Sequence, residues 1–453
     1  MNPKKLLIII TILLVSFCLQ FTLKAAPIDR QTQHYLIQAQ NYLALADNSA
    51  PPQSYQYELF AAEFFIQAGA LDQAKPLLEM LSYSSLPGSL KNIKEKLEVA
   101  FLMKVKQIQT ETLLKKNDQN LATPSRIALF LPLTGRHAQP AQAIKAGFLE
   151  QHQANMSQEN VPSIEVKLYD TNQTSDICSL YEQAVRDGAN FVVGPLIKDE
   201  VLKLSKLTKS ELPIPVLALN VSPDIHGQSL KDFFQFALAP EEEAQRLAQK
   251  AWTDGHRSTS IIVPDNEWGK RVLNAFSTKW KSLGGKIPST ALINNKQDHD
   301  VVIRKLLQVP INAKPPYRRQ DIDMIVLAAP PEQARQLRPL LDFYYANTLK
   351  VYATSSIYQG TPQPQQDRDL NGVIFCDMPW ILENRQGNTA LARLYAMGLD
   401  AYQLTSRLSI LNASPNAQYH GATGILSVGP NHTIERELSW AQIKDGVPHL
   451  YAS

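Results

Sequence analysis

Cysteine is scarce. The chain of 453 residues holds three; Cys18 follows directly on the first apolar run, which leaves Cys178 and Cys376 far apart in sequence. Such a pair excludes a disulfide scaffold, and two buried free thiols are expected. Reactive motifs are lacking too. No Ser-x-x-Lys occurs, which excludes the nucleophile motif of serine transpeptidases and β-lactamases, and neither Gly-x-Ser-x-Gly nor His-Glu-x-x-His occurs. Charge of one sign is also missing: the net charge is +3 with an isoelectric point near 8.5, both signs being spread along the chain. Without a basic stripe interleaved with aromatics, and without zinc-finger spacing of Cys and His, a nucleic-acid partner has no support. The nine histidines are dispersed. Asp298-His299-Asp300 is the one cluster that could attract a metal, but neighbouring residues on one turn point in different directions. No metal and no cofactor are expected. The turn Pro-Leu-Thr-Gly at 132–135 lacks the Lys-Ser/Thr of a phosphate loop and has one glycine where a dinucleotide fingerprint needs three.

What is present begins with Lys4 and Lys5, followed by the apolar run Leu6 to Phe17 and small residues at Ala25 and Ala26. This pattern is an export signal over residues 1–26, too short for a membrane span. Cys18 is a candidate lipid anchor, although Phe17 stands where a lipoprotein signal normally has a small residue. Either way the mature chain is placed outside the cytoplasm. From 27 to 118 apolar residues recur at three and four, with breaks at 49–52 and 86–88, so this region is all helical. Ala62, Phe65, Gly69, Ala74 and Leu78 have the spacing of a tetratricopeptide hairpin; an ordinary three- or four-helix bundle is the other reading, and both imply an interaction module.

A polar linker at 119–125 separates this from 126–453, where the period changes. RIALFLPL, SIEVKLYD, FVVGPL and PVLALN read as strands alternating with helices such as QAIKAGFLEQH. TSIIVPD, KIPSTALI, DMIVLAAP and KVYATSS form a second such set. The order is that of βαβ units in two doubly wound parallel sheets, an α/β bilobal domain with a cleft. Ligands bind such sheets at the carboxyl ends of strands. Those ends carry Thr134, Gly135 and Arg136, then Asn220 and Ser222, then Asp265 and Glu267, then Thr354, Ser355 and Ser356. These ten are the candidate cleft residues for a ligand or a partner; no catalytic set is found. Glu241, Glu242 and Glu243 open a helix after Pro240, where negative charge complements the helix dipole.

Residues 126–150, with VVGPLIKDEV, DGHRSTSIIVPDNEWGKRV and the closing GATGILSVGPNHTIERELSWAQIKDGVP, resemble the type I periplasmic-binding-protein fold of amino-acid receptors. FCDMPWIL, RLYAMGLDAYQL and the closing hairpin together resemble the C-terminal domain of the LpoA (LppC) family of outer-membrane lipoproteins, over about 124–450. The helical region is similar to that family's tetratricopeptide-like domain but shorter. The resemblance implies a non-catalytic activator of a bifunctional class A penicillin-binding protein, a peptidoglycan synthase, on the periplasmic side of the outer membrane. A solute receptor feeding a transporter is the alternative. Within these motifs Pro379 is expected to end a strand and fix an extended crossing near the hinge, Trp380 to pack in the core, and Leu394, Met397, Ala401 and Leu404 to form the buried stripe of a helix, with Asp400 and Tyr402 off it. Gly429-Pro430-Asn431-His432 is a hairpin turn.

Overall fold

The apolar runs set out above become the centres of two sheets, and the period-3.6 segments become the helices that cover them. The computed structural model describes residues 30–83, 86–116, 124–157, 162–174, 176–222, 225, 232–294, 298–310, 317–383 and 391–451. The expected export signal at 1–26 and Cys18 lie outside the described residues. The chain divides into two compact units, Met1–Asp118 and Gln119–Ser453.

The first unit contains α1 (Arg30–Asp47), α2 (Gln53–Gln67), α3 (Leu71–Met80) and α4 (Gly88–Lys116). Ala62 and Phe65 of α2 and Ala74 and Leu78 of α3 are all buried, as the tetratricopeptide spacing anticipates. The alanines let the helices approach, and Phe65 and Leu78 fill the gap. Gly69 makes the turn at φ 75°. There the Ala70 N–H donates to Phe65 O at 2.9 Å and the Gly69 N–H to Ile66 O at 3.0 Å, a left-handed cap that glycine adopts without a Cβ clash.

The second unit is two lobes. Lobe A is a wholly parallel sheet of order β2-β1-β3-β4-β5, made of β1 (Arg126–Leu131), β2 (Glu165–Asp170), β3 (Phe191–Val193), β4 (Val216–Ala218) and β5 (Phe233–Gln235). Residues Ile127 to Leu131 are fully buried because a parallel sheet is covered on both faces, so its strands read as unbroken apolar runs. Ile127, Leu129 and Leu131 face α5 (Ala138–Met156), and Ala128 and Phe130 face α6 (Ile177–Arg186) and α7 (Lys198–Leu204).

Lobe B begins with α8 (Pro240–Thr253) and β6 (Ser258–Pro264), and continues through α9 (Glu267–Ser282), β7 (Lys286–Ile293), α10 (His299–Leu306), β8 (Met324–Leu327), α11 (Pro331–Phe343), β9 (Lys350–Ala353) and β10 (Ile374–Asp377). After a short α12 (Pro379–Glu383) the chain returns to lobe A as α13 (Ala392–Thr405) and α14 (Leu408–Ala413). It then builds a small antiparallel sheet, β11 (Tyr419–His420), β12 (Ile425–Val428) and β13 (Ile434–Glu437), before crossing back as β14 (Ser439–Lys444) and β15 (Val447–Leu450). The lobe B sheet has the order β15-β14-β10-β9-β8-β6-β7, parallel from β7 to β10 and antiparallel at β14 and β15. The anticipated hairpin joins β12 to β13, with Gly429 N–H donating to Thr433 O at 2.8 Å.

Three expectations are corrected. Pro379 does not extend the crossing; it opens α12, where its missing N–H costs no helical hydrogen bond. Asp400 and Tyr402 are not off a buried stripe. They are 1% and 2% exposed, because α13 is enclosed on several sides, its residues packing with α5, with Leu426 of β12 and with Ile434 of β13 in one core. Cys376 is a buried free thiol, but Cys178 is free and only half-buried. Trp380 packs against the lobe B core and lies 5.8 Å from the Tyr395 ring, as a structural aromatic.

Candidate binding cleft and the network beneath it

The strand ends fall on the two lobes as expected, and their polar groups are largely committed to the protein itself. After β1, the Thr134 hydroxyl donates to Asp170 at 2.8 Å, and the Leu133 N–H donates to the same carboxylate at 2.9 Å. Burial alone would raise the Asp170 carboxyl, but these bonds and those from the Asn172 and Thr134 backbones hold it below the ordinary range. Asn172 also donates to Thr134 O. Gly135 sits at φ 70°, and exposed Arg136 donates to His137 at 2.8 Å. After β4, the Asn220 amide donates to Leu196 O at 2.8 Å and accepts from the Val221 N–H at 3.0 Å, while the buried Ser222 N–H donates to Gln235 at 3.0 Å.

On lobe B, Asp265 lines a cavity of about 690 Å³ at the ends of β6, β7 and β8, with Asn266, Asn294 and Glu332. Asn266 caps α9 by accepting from the Gly269 N–H at 2.8 Å. Glu267 points to solvent and, among the described residues, pairs with Lys270. Thr354 and Ser356 share a hydrogen bond of 2.8 Å, and Ser356 donates to Ala329 O at 3.1 Å. Ser355 donates both its hydroxyl, at 2.8 Å, and its N–H, at 3.2 Å, to Glu243. Among the described residues no hydrogen bond or ion pair joins the lobe A candidates to the lobe B candidates.

What joins the lobes is a set of residues that local sequence pattern does not single out. Arg393, at the start of α13, places its guanidinium 2.5 and 3.0 Å from the buried Asp377 carboxylate at the end of β10, and donates to Tyr358 O at 3.0 Å. Arg436 of β13 is fully buried and donates to Glu242 of α8 at 2.9 Å through Nε, while its backbone N–H donates to the other oxygen of the same carboxylate. Arg246 reaches Glu435 at 3.2 Å, at the rim of a cavity of about 380 Å³ lined by Ala237, Ala239 and Glu241. Asp400 accepts from the N–H groups of Ala422 and Thr423 and from the Thr423 hydroxyl, each at 2.6–2.7 Å. Gly421 is required beside it, since a Cβ there would lie 2.6 Å from the carboxylate.

Burial raises the carboxyls of Glu243 and Asp400. For Glu243 the neighbouring Asp377 adds to the effect; for Asp400 the hydrogen bonds from Thr423 and Ala422 work against it. The Cys376 thiol is pushed up mainly by burial, with the Glu243 and Asp377 charges adding to the effect, and is held as the unreactive thiol. Three arginines, Arg246, Arg393 and Arg436, thus sit among five acids, Asp377, Glu242, Glu243, Asp400 and Glu435, where the chain passes between lobes. Chemically this is a fastening. The side chains of Thr134, Asn220, Thr354, Ser355 and Ser356 that could grip a zwitterion are bonded internally, and Arg393 and Arg436 each face a carboxylate across the hinge.

A family model described as "LppC putative lipoprotein" matches residues 108–446. The chain belongs to the LppC family. Relatives in this family include the penicillin-binding protein activator LpoA of Edwardsiella ictaluri, 30% identical over 323 residues, and that of Haemophilus influenzae, 29% identical over 335 residues. These alignments take in 63% and 71% of this chain but 46% and 54% of the relatives, so the chain spans about half the length of the curated relatives it matches. Among solved structures, the LpoA C-domain from Haemophilus influenzae, named as a regulator of PBP1A, superposes with a TM-score of 0.61 at 26% identity, covering 72% of this chain and all of that one. A Chromobacterium violaceum structure named "putative branched-chain amino acid ABC transporter" gives 0.56 at 26%, over 70% of this chain and 99% of its own. The type I periplasmic-binding-protein fold is therefore shared by the family and by transport proteins.

Proposed function

We propose that this chain is a non-catalytic activator of a bifunctional class A penicillin-binding protein, acting on peptidoglycan synthesis by direct protein contact. It works in the periplasm, held to the inner face of the outer membrane if Cys18 carries a lipid and free in the periplasm if it does not. The observation that carries this reading is the pairing of LppC-family membership with a cleft whose hydroxyls and amides are largely bonded internally and whose lobes are tied by buried ion pairs. An activator of this kind raises the rate by binding the synthase's active conformation more tightly than its inactive one, since only differential affinity shifts an equilibrium. Retention of the synthase by the mature chain, with faster glycan polymerisation and cross-linking when it is added, is the expected result. Failure to bind any class A synthase ends the reading.

The solute-receptor reading draws on the 690 Å³ cavity at the lobe B strand ends and on the fold shared with transport proteins. Calorimetry with a panel of amino acids separates the two: micromolar binding favours the receptor.

A further inference from the structure

A larger cavity, of about 940 Å³, lies between α10 and α11 of lobe B. The helix pattern of α11 explains its shape. Ala334, Leu337 and Leu341 are fully buried against the sheet, whereas Glu332, Gln336, Pro339 and Phe343 recur at helical spacing on the other side and are exposed. Phe343 is 69% exposed. With Pro339 and the half-buried Leu340 it makes one end of the groove apolar. A single exposed phenylalanine needs no explanation, but three adjoining apolar side chains lining one cavity of about 940 Å³ form a surface that folding leaves uncovered.

The other end is acidic. Asp298, Asp300 and Glu332 line it, and Glu332 also borders the neighbouring cavity that contains Asp265. Among the described residues the cations nearby are already engaged. Arg335 is bound to the buried Asp367 at 2.7 and 3.0 Å and to Gln363 and Gln366, and Arg304 stands 3.9 Å from Asp300. Acids in the first turns of α10 and α11 suit the helix dipoles, and that accounts for Asp298 and Glu332 taken alone. It does not account for their sharing one groove with the apolar floor at Phe343.

We infer that this groove is where the synthase docks, and that it receives a segment of the partner bearing an aromatic or aliphatic side chain next to lysines or arginines. The inference rests on the activator reading. The apolar anchor settles between Leu340 and Phe343 in a pocket from which water can be excluded, the arrangement that concentrates binding energy in few residues. The basic neighbours meet Asp298 and Glu332, which steer the encounter and set its register.

The test uses the full mature chain and a purified class A synthase in detergent, with binding followed by biolayer interferometry at low and high salt. Phe343→Asp is expected to weaken affinity by about tenfold or more, and Gln336→Trp, filling the groove from an exposed position, to do the same. The pair Asp298→Lys and Glu332→Lys is expected to slow association by about tenfold at low salt and to flatten its salt dependence. All four positions are exposed, so thermal melting reports whether each variant keeps its fold. If the unaltered chain binds and the folded variants bind equally well with the same salt dependence, the docking site is elsewhere and the activator reading stands. If the unaltered chain binds no class A synthase, the activator reading falls and takes this inference with it.

Discussion

Asp377 is 1% exposed and Arg393 is its counter-ion. At 2.5 Å the pair is a charge-assisted contact whose carboxylate is buried, and such pairs are asymmetric: their net contribution is modest, but removing one partner strands a buried charge. Arg393→Met should therefore cost about 3–5 kcal/mol in urea unfolding. Adding Asp377→Asn to it should recover much of the loss; a double variant as unstable as the single one would show that Arg393 acts through packing instead. Glu243 makes a pH prediction. Its folded carboxyl is raised by burial, so the folded state keeps a proton that the unfolded chain releases. Stability from this group is complete below the unfolded glutamate pKa and is lost as pH rises toward the folded value. Glu243→Gln mimics the protonated form and can still accept from Ser355. Its unfolding free energy should fall less between pH 4.5 and 8 than that of the unaltered chain. Asp400, raised in the same direction, keeps the slope from vanishing. An unchanged slope would mean that Glu243 does not hold the proton.

At the level of elements, α5 and α13 approach backbone to backbone. A Cβ on Gly398 would lie 2.1 Å from Ile144 O, and one on Gly147 would lie 2.0 Å from Tyr395 O. Backbone meets backbone there, so neither neighbour can rotate away. Gly398→Ala would gain about 1 kcal/mol of helix propensity, but forcing the helices apart costs about 3 kcal/mol or more. Net destabilisation of about 2 kcal/mol is expected, read as a lower melting temperature; a stabilised variant would mean the helices are not in contact at this point. Such a crossing marks the limit of what periodicity conveys. The runs RIALFL and MIVL announce buried strands because each residue faces apolar neighbours, and the glycine at 69 announces a turn. Gly398 within a helix hints at a close neighbour without naming it. Glu242, read from its neighbours alone, is a dipole-complementing acid in a first turn; its partner Arg436 stands 194 residues away. Long-range charge pairing leaves no local period, which is why the strand ends were legible in the sequence and the fastening network was not. Pro379 misled for a related reason, since proline fits both an extended crossing and the first turn of a helix, and the packing of α12 on the lobe B core decides between them.

For the molecule as a whole, the question is whether the second unit opens and closes. A solute receptor needs a hinge soft enough for ligand binding energy to swing one lobe against the other, with hinge residues that absorb the change in backbone angles. Here the crossings are bordered by Arg393–Asp377 and Arg436–Glu242, both inside the protein, with the more exposed Arg246–Glu435 beside them. The outer pair contributes less than about 1 kcal/mol, so the restraint falls on the inner two. Each is costly to break, and swinging the lobes would have to break or stretch them. Spin labels placed on exposed positions of the two lobes should therefore give one narrow distance distribution, unmoved by millimolar amino acids. Glu242→Gln with Arg436→Met removes one inner pair without leaving a bare charge, and it should broaden that distribution while both lobes stay folded. Two distances in the unaltered chain, or a shift to a shorter one when an amino acid is added, would mean that the ion pairs yield to ligand and that the cleft still works as a receptor's does.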